Sequence, residues 1–333
     1  MKTHHHTIAI HFVHTILRSA EKLGLNTNQL LETANIDAKL IDKPDIRITP
    51  IQFSRLMQTM WIYADDEFLG MAKTPVRYGV FTLMAKQAVH YQKLRSVYRH
   101  LTNFYNLVND ALDLKFTVDG DQAEFTMKLH TPHRDKDNAL REFLLLLFHR
   151  FPSWLIGQRI PLKGILFDYS KPRHFSEYRL MYPCRAEFDH AQCGFSFARP
   201  WLDAEVVRTP RELRDYMRRA PLDWFLRQEY HAVYTQRVAL LLEQADSPAD
   251  ISMEQVAEKL HLTSRTLRRK LVTEGASFQK IKDHIRRDLA INLLSNRKTS
   301  VSQISQQLGF SEPAAFSRAF KLWTGLSPKE YRG

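Results

Sequence analysis

Ser252-Met253-Glu254-Gln255-Val256-Ala257-Glu258-Lys259-Leu260 and Ser300-Val301-Ser302-Gln303-Ile304-Ser305-Gln306-Gln307-Leu308 are two copies of one pattern, 48 positions apart. Each opens with a Ser placed to cap a helix and a Gln three residues on, the capping-box signature. Each then carries an aliphatic pair four apart, Val256 with Leu260 and Ile304 with Leu308, which a helix turns onto one face. A turn follows, through His261-Leu262 in the first copy and Gly309-Phe310 in the second. A second helix is predicted to start after Thr263 and after Ser311. There the offset becomes 49: Leu267 matches Phe316, Arg269 matches Arg318 and Leu271 matches Phe320, so the second turn holds one extra residue. A short helix, a tight turn and a second helix make a helix-turn-helix unit. The chain carries two, at about 252–273 and 300–322.

Between the copies, Phe278, Ile281, Ile285, Leu289 and Leu293 recur at three and four. That spacing predicts one long amphipathic helix from Phe278 to Leu294, able to hold the units at a fixed separation. A further helix near Val233 to Gln244 completes the first unit. An ordinary helical bundle would also show amphipathic helices and short turns. The paired capping boxes, the matched offsets and the charge on the second helices argue against it.

Those second helices are the candidate readers of double-stranded DNA. Arg265, Arg268 and Arg269 share one face, with Thr266 near the helix start. Arginine contacts guanine through two hydrogen bonds in the major groove, worth ~1–3 kcal/mol of discrimination per good pair. It also binds phosphate, which carries no sequence information, and a solvated charged face is the plain alternative. The second reader opens with Pro313, Ala314 and Ala315, followed by Ser317, Arg318 and Lys321. A first-turn proline costs little, since its missing N–H has no partner there. Ala314 or Ala315 can touch a thymine methyl, and Arg318 and Lys321 suit phosphates. The expectation is unequal work: the first unit specifies sequence and the second mainly adds affinity. Phe316, Phe320 and Trp323 read as core and not as intercalating wedges. Two units in one chain would enter successive major grooves about one turn, ~34 Å, apart.

Charge agrees with a polyanion partner. The 333 residues hold 48 Lys and Arg against 36 Asp and Glu, a net +12. Residues 231–333 hold 16 against 10, so the tail has about twice the net charge density of the rest. An anionic membrane surface is the competing partner, but no basic amphipathic helix with exposed Trp or Leu stands out. The longest apolar run, Phe143 to Phe148, is six residues, where a span needs ~20, so no transmembrane helix is expected. Only 11 residues are Gly, which counts against glycine-loop nucleotide folds.

Met1-Lys2-Thr3-His4-His5-His6 has no apolar core of a signal peptide. The three His read as a frayed terminus, with a metal tract or a cloning relic as alternatives. Cys184 and Cys193 read as two reduced, buried thiols in a cytoplasmic protein, with a redox sensor as the alternative.

The front part reads as mixed α and β. Helices are predicted over Ile8–Leu23, Thr27–Ala34, Thr49–Tyr63, residues 80–109 and Asp137–Ile156. Thr49, Pro50 and Gln52 make a capping-box start. Alternation at Leu112, Leu114, Phe116 and Val118, then Asp119-Gly120, then alternation from Ala123 to Leu129, predicts a hairpin. Short strands are expected at Leu162–Tyr169, Ala186–Phe188 and Gly194–Phe197. Pro200, Pro210 and Pro221 suggest a transition. The predicted layout is therefore residues 1–198 as an effector-binding and dimerisation domain, 199–230 as linker, and 231–333 as the DNA-binding domain. In fold class this is an α+β N-terminal domain followed by an all-α C-terminal domain, with two helix-turn-helix units joined by a long helix.

The front part is rich in Phe, Tyr, Leu and Met, and most of these must be core. Arg77, His90, Tyr91, Arg95 and His174 are polar candidates for lining a small-molecule cavity. Catalysis finds little support. His133-Arg134-Asp135 has the form of a kinase catalytic loop, but Leu140 stands where the required Asn would. No Walker A, His-Glu-x-x-His or Gly-x-Ser-x-Gly motif is present. His130 and His133 lack a Cys or His cluster to complete a metal site. No catalytic residue, cofactor or metal is expected.

The tail resembles the AraC/XylS family of bacterial transcription regulators over roughly 100 residues. The carriers are Arg265-Thr266-Leu267-Arg268-Arg269-Lys270-Leu271, Glu274-Gly275-Ala276-Ser277-Phe278 and Leu308-Gly309-Phe310-Ser311. The run from Phe316-Ser317-Arg318-Ala319-Phe320-Lys321 through Trp323-Thr324-Gly325 to Ser327-Pro328 and Tyr331-Arg332 closes the signature. The front is similar to the arabinose-binding, ornithine-regulator-like branch, through Ile46 to Leu56 and Glu177-Tyr178-Arg179 to Phe197. The resemblance implies base-facing roles for Arg265 and Arg269. It also implies a small-molecule effector, dimerisation through the front domain and activation more often than repression, with RNA polymerase as a further partner. A ligand- or redox-responsive repressor of the same architecture is the alternative.

Overall fold

The structure is a computed structural model. It describes residues 7–43, 45–225, 234–245, 251–273, 276–295 and 299–332. The histidines at positions 4–6 lie outside them. By contacts the chain divides into two units. One comprises the chain to Ile10, Ile36–Phe53 and Leu226 onward; the other comprises His11–Asn35 and Ser54–Phe225.

In chain order the elements begin with β1 (Ile8–Ala9), α1 (Ile10–Lys22), α2 (Thr27–Thr33), β2 (Arg47–Ile48), α3 (Pro50–Ala64), α4 (Val80–Ala88) and α5 (Leu94–Val108). The hairpin β3 (Leu112–Asp119) and β4 (Gln122–Leu129) leads to α6 (Ala139–Leu155). Then come β5 (Leu162–Leu166), α7 (Tyr178–Met181), β6 (Arg185–Glu187), β7 (Cys193–Ala198), α8 (Pro210–Arg219) and α9 (Leu222–Phe225).

The five-stranded sheet runs β3-β4-β7-β5-β6 and is antiparallel except for β5 with β6. Its hairpin register sets Asp119 against Gln122 around a two-residue loop, in which Gly120 takes φ +49°. Gly194 is required by close approach, because a Cβ there would lie 2.7 Å from the Phe125 carbonyl oxygen on the next strand. Tyr98 of α5 is fully buried on the sheet, with its ring stacked 5.1 Å from Phe116. Helix α6 is buried almost throughout its length, its charged residues included. The run Phe143 to Phe148 is therefore a core helix.

Three expectations are corrected. The first helix starts at Ile10, because Ile8 and Ala9 pair with Ile48 and Arg47 as a two-stranded ladder. The predicted helix over 80–109 is two helices. Residues 92–94 turn their backbone outward to the segment 204–206, through Val206 N–H to Gln92 O at 3.0 Å and Leu94 N–H to Ala204 O at 3.0 Å. The linker expected over 199–230 is ordered structure as far as Phe225. Pro210 stands at the first position of α8 behind a complete capping box of Thr209 and Glu212. Buried Trp224 donates its indole N–H to the Tyr216 hydroxyl at 2.9 Å. Prolines that suggested a break start helices here. Residues 226–230 lie outside the described residues. By contacts, Ile36–Phe53 groups with the tail.

The tail is helical: α10 (Tyr234–Glu243), α11 (Met253–Lys259), α12 (Ser264–Thr273), α13 (Phe278–Ser295), α14 (Val301–Gln307), α15 (Pro313–Thr324) and α16 (Pro328–Arg332). Both repeats and the long connecting helix appear where the periodicity placed them. The N-terminal sheet domain and the helical tail together give the predicted fold class.

Candidate DNA interface and effector cavity

The first unit is α11 and α12, built on an aliphatic core. Val256, Leu260, Leu267 and Leu271 bury against Val238 and Leu242 of α10 and Phe278, Ile281 and Ile285 of α13. Ser252 accepts the Gln255 N–H, and the Gln255 side chain accepts the Ser252 N–H in return. Helix α11 ends in a Schellman turn: His261 N–H reaches Glu258 O at 2.9 Å and Leu262 N–H reaches Ala257 O at 2.9 Å. Lys282 of α13 donates to Ile251 O at 2.9 Å.

The second unit repeats this backbone. Ser300 and Gln303 form the same reciprocal cap. Gly309 N–H reaches Gln306 O at 2.9 Å, and Phe310 N–H reaches Ser305 O at 3.0 Å. Its core adds aromatics to the buried Ile304 and Leu308: Phe316 and Phe320 are fully buried, with Phe310, Trp323 and Tyr331 ringed around them. Arg286 of α13 donates to Leu308 O at 3.0 Å and lies 3.9 Å from the Phe310 ring centre. Phe316 and Phe320 are thus core, as expected, and Trp323 is half-buried among them.

On α12, Arg265, Arg268 and Arg269 are exposed, and Thr266 is half-buried. The Thr266 hydroxyl accepts from Thr263 at 2.9 Å, so it also serves the helix start. Glu254 faces this helix. Its own backbone N–H and Ser252 hold its carboxyl below the ordinary value, with Ser264 and Arg268 adding. On α15, Ala314, Arg318 and Lys321 are exposed, while Ala315 and Ser317 are half-buried. The Ser317 hydroxyl donates to Pro313 O at 2.9 Å.

The same unit includes β1 and β2, which are fastened to α13. Asp288, on the connecting helix, accepts from Thr7 N–H at 3.1 Å and from the Thr7 hydroxyl at 2.6 Å. Arg47 donates to the Thr7 hydroxyl at 2.8 Å and to Thr7 O at 2.6 Å. Tyr331 of α16 donates to Arg47 O at 2.8 Å. Burial alone would raise the Asp288 carboxyl; Arg287, Arg47 and Thr7 hold it below the usual range. Sequence reading missed this fastening, because its partners lie 281 residues apart.

The sheet-bearing unit holds a cavity of about 640 Å³, open mouth included, walled by α3, α4, α5, α6, α8 and α9. Its surface is mostly apolar, from Met57, Phe81, Phe143, Leu147 and Trp224 among others. Polar groups are few: Glu67, Tyr78, Tyr105, Thr82 and the indole of Trp61. Glu67 accepts the N–H of Gly79 at 2.8 Å and of Phe81 at 2.9 Å, at the start of α4. Burial nevertheless raises its carboxyl to about 7. Tyr105 is raised by burial and then by the nearby Glu67 charge. The Trp61 indole N–H is buried with no hydrogen-bond partner. Among the described residues lining the cavity, none is Arg, Lys or His. The sequence candidates Arg77, His90, Tyr91, Arg95 and His174 are not on its wall; Arg77 is exposed near Asp65, and His174 binds Glu142 at 2.8 Å.

Residues 24–206 match the arabinose-binding N-terminal domain of AraC transcription regulators, and residues 256–333 match a helix-turn-helix domain. The first of these covers more than half of the chain. The chain belongs to the AraC family. Among relatives, the ornithine utilization regulator of Pseudomonas aeruginosa is 22% identical over 329 residues, covering 98% of this chain and 96% of its own. The regulator VqsM of the same organism is 40% identical over 97 residues, 29% of this chain and 30% of its own. The urease operon transcriptional activator of Escherichia coli is 38% identical over 80 residues, 24% of this chain and 27% of its own. The AraC-family chain is a DNA-binding transcription regulator with an effector-domain fold in front.

Groups that looked chemically active have structural work in this AraC-family chain. Asp135 accepts the Leu140 and Arg141 N–H groups and the Arg141 guanidinium at 3.0 Å, which starts α6. Arg141 also reaches Asp168 at 2.7 Å. His130 pairs with Asp113 at 2.9 Å. Both cysteines are free thiols; Cys193 is buried and donates to Asp168 at 3.0 Å, and burial pushes Cys184 up to about 12. Among the described residues, no cluster of three or more His, Cys, Asp or Glu could hold a metal ion. No helix of the described residues is long and apolar enough to cross a membrane.

Proposed function

We propose that this AraC-family regulator is an effector-responsive activator that acts in the cytoplasm and carries no catalytic activity of its own. Residues 231–333 read double-stranded DNA across two successive major grooves. Arg265, Thr266, Arg268 and Arg269 of α12 specify bases, with Arg265 and Arg269 facing them. On α15, Ala314 and Ala315 pack on thymine methyls, while Ser317, Arg318 and Lys321 hold phosphates. The observation that carries this is the contrast between the two reading helices: an exposed arginine face on α12, and alanines at the head of α15. Arginine discriminates bases, whereas alanine offers only a methyl contact.

The cavity beside Glu67 is the effector site in this reading, supported by its enclosure and its few polar groups. Two chains pair through the front domain, and the bound dimer contacts RNA polymerase. These last roles rest on likeness to the family and on a relative named as an activator.

The test is capture of sheared genomic DNA by the purified full chain, followed by sequencing of the bound fragments and base-substitution scanning. The expected result is a bipartite motif over about two helical turns, with the sharper base dependence in the half under α12. Sharper dependence under α15 overturns the division of labour. Absence of any enriched site, with and without cell extract as an effector source, overturns the reading as a sequence-specific regulator.

A further inference from the structure

We propose that the cavity in the sheet-bearing unit takes a small apolar molecule with a hydrogen-bond-donating head, an alcohol or an amine, and refuses organic anions. This rests on the effector reading of that site and names its ligand class.

Charge and unmet hydrogen bonds in the cavity select the ligand. Among the described lining residues the one carboxyl group is Glu67; it has an N–H on each oxygen, from Gly79 and Phe81, and retains lone pairs for a further donor. A carboxylate, phosphate or sulfonate ligand would have to lie against that acid, ionised or protonated, in an apolar enclosure. Among the described lining residues no Arg, Lys or His is present to compensate it. Burying an unpaired charge is among the costliest events in a protein interior. A hydroxyl or ammonium group meets the opposite situation. It donates to Glu67 while Trp61, Phe81, Phe143 and Trp224 cover the apolar body. The buried Trp61 indole N–H, which has no partner, adds a second polar demand. It is a donor only, so a hydroxyl oxygen can answer it and an anion is not required. Aromatic rings at tilted and edge-on angles, 5.6 Å between Trp61 and Trp224 and 5.8 Å between Phe81 and Trp224, suit a flat body.

The experiment is isothermal titration calorimetry on the full chain with three ligands of one body: 2-phenylethanol, 2-phenylethylamine and phenylacetate. The alcohol and the amine should bind saturably and the carboxylate should not. Glu67→Gln should weaken the amine roughly 10- to 100-fold, as expected for loss of a hydrogen bond to a charged group, and weaken the alcohol less. Met217→Trp, which fills space in the cavity from α8, should weaken both donors. Thermal melts of each variant exclude unfolding as the cause. Phenylacetate binding as tightly as the donors overturns the proposal. So does absence of saturable binding by all three, or binding indifferent to Met217→Trp. DNA affinity measured in parallel separates this proposal from the effector reading. If the donors bind but leave DNA affinity unchanged, the ligand class stands and the effector reading falls. If only an anion shifts DNA affinity, the effector reading stands and the ligand class falls.

Discussion

Helices α11 and α14 begin with the same reciprocal Ser–Gln cap and end in the same pair of turn hydrogen bonds, yet what surrounds them differs. The first unit closes on aliphatic side chains from α10 and α13. The second closes on its own aromatics, on α13 and on α16, whose Tyr331 reaches the Arg47 carbonyl. Their outer faces diverge as well, three exposed arginines against a proline and alanines. Caps and turns fix the angle between two helices, so both copies keep them. Core composition and outer charge are free to vary once that angle is held. The two copies thus share one helix-turn-helix geometry while core and outer charge differ.

The largest expected effect comes from the second unit's support. Asp288→Ala leaves Arg287 without its carboxylate partner and Thr7 without its acceptor, and losing one member of such a buried set costs about 3–5 kcal/mol. Hydrogen exchange should show protection lost in α14 and α15 more than in α11 and α12. Equal loss in both would break the claim that the units are separately supported. The Asp288 carboxyl is held below its ordinary value. Its contribution is therefore present above the unfolded value near ~4 and is lost as pH falls through the lower folded one. Denaturation of Asp288→Asn followed against pH should lack that acid-side decline.

Next in size is Arg265→Ala, expected to cost ~1–3 kcal/mol on the preferred site and to relax preference at one base pair. Anisotropy titrations against single-base variants of the site check it. A loss of the same size on every variant would move Arg265 from base to phosphate, and would erase the functional contrast with α15.

Much of this contrast is legible in sequence. Capping boxes, aliphatic pairs and the shift in offset are local signals, and each maps onto an observed cap, core position or turn. The hairpin around Gly120 is local in the same sense. What escapes is long-range. Thr7 and Asp288 give no sign of each other, nor does Ile46 to Phe53 announce that it belongs with the tail. The cavity escapes for another reason. The spacing of Met57 and Trp61 on α3 shows that one face is buried, but periodicity cannot tell a packed face from one that lines a void. Glu67 reads as an ordinary acid until the N–H groups of Gly79 and Phe81 are seen around it. Prolines misled most: Pro210 signals a break and yet starts α8 behind the Thr209 cap.

A smaller effect is expected at Lys321. Lys321→Ala should weaken all sequences alike and reduce the slope of log affinity against log salt by about one. A change in base preference would give α15 a reading role and narrow the difference between the units.

The smallest effect tests the turns themselves. His261 and Gly309 occupy the same place in the two copies, and both take the left-handed conformation, φ +56° and φ +69°. That conformation suits glycine, whereas a residue with a Cβ pays roughly 1–2 kcal/mol for it. His261 is exposed, so no core packing offsets that strain. His261→Gly should therefore stabilise the first unit by up to about 1 kcal/mol, since the more flexible unfolded chain takes back part of the gain. Denaturant unfolding with an unchanged slope against denaturant reads it directly. DNA affinity should stay as it is, because only the turn backbone has been relieved. A stabilised variant with weaker DNA binding would mean that the imidazole touches the DNA backbone and that the strain is kept for that contact. The first unit would then bind through its turn as well as its helix, a difference from the second unit that Gly309 has no side chain to match.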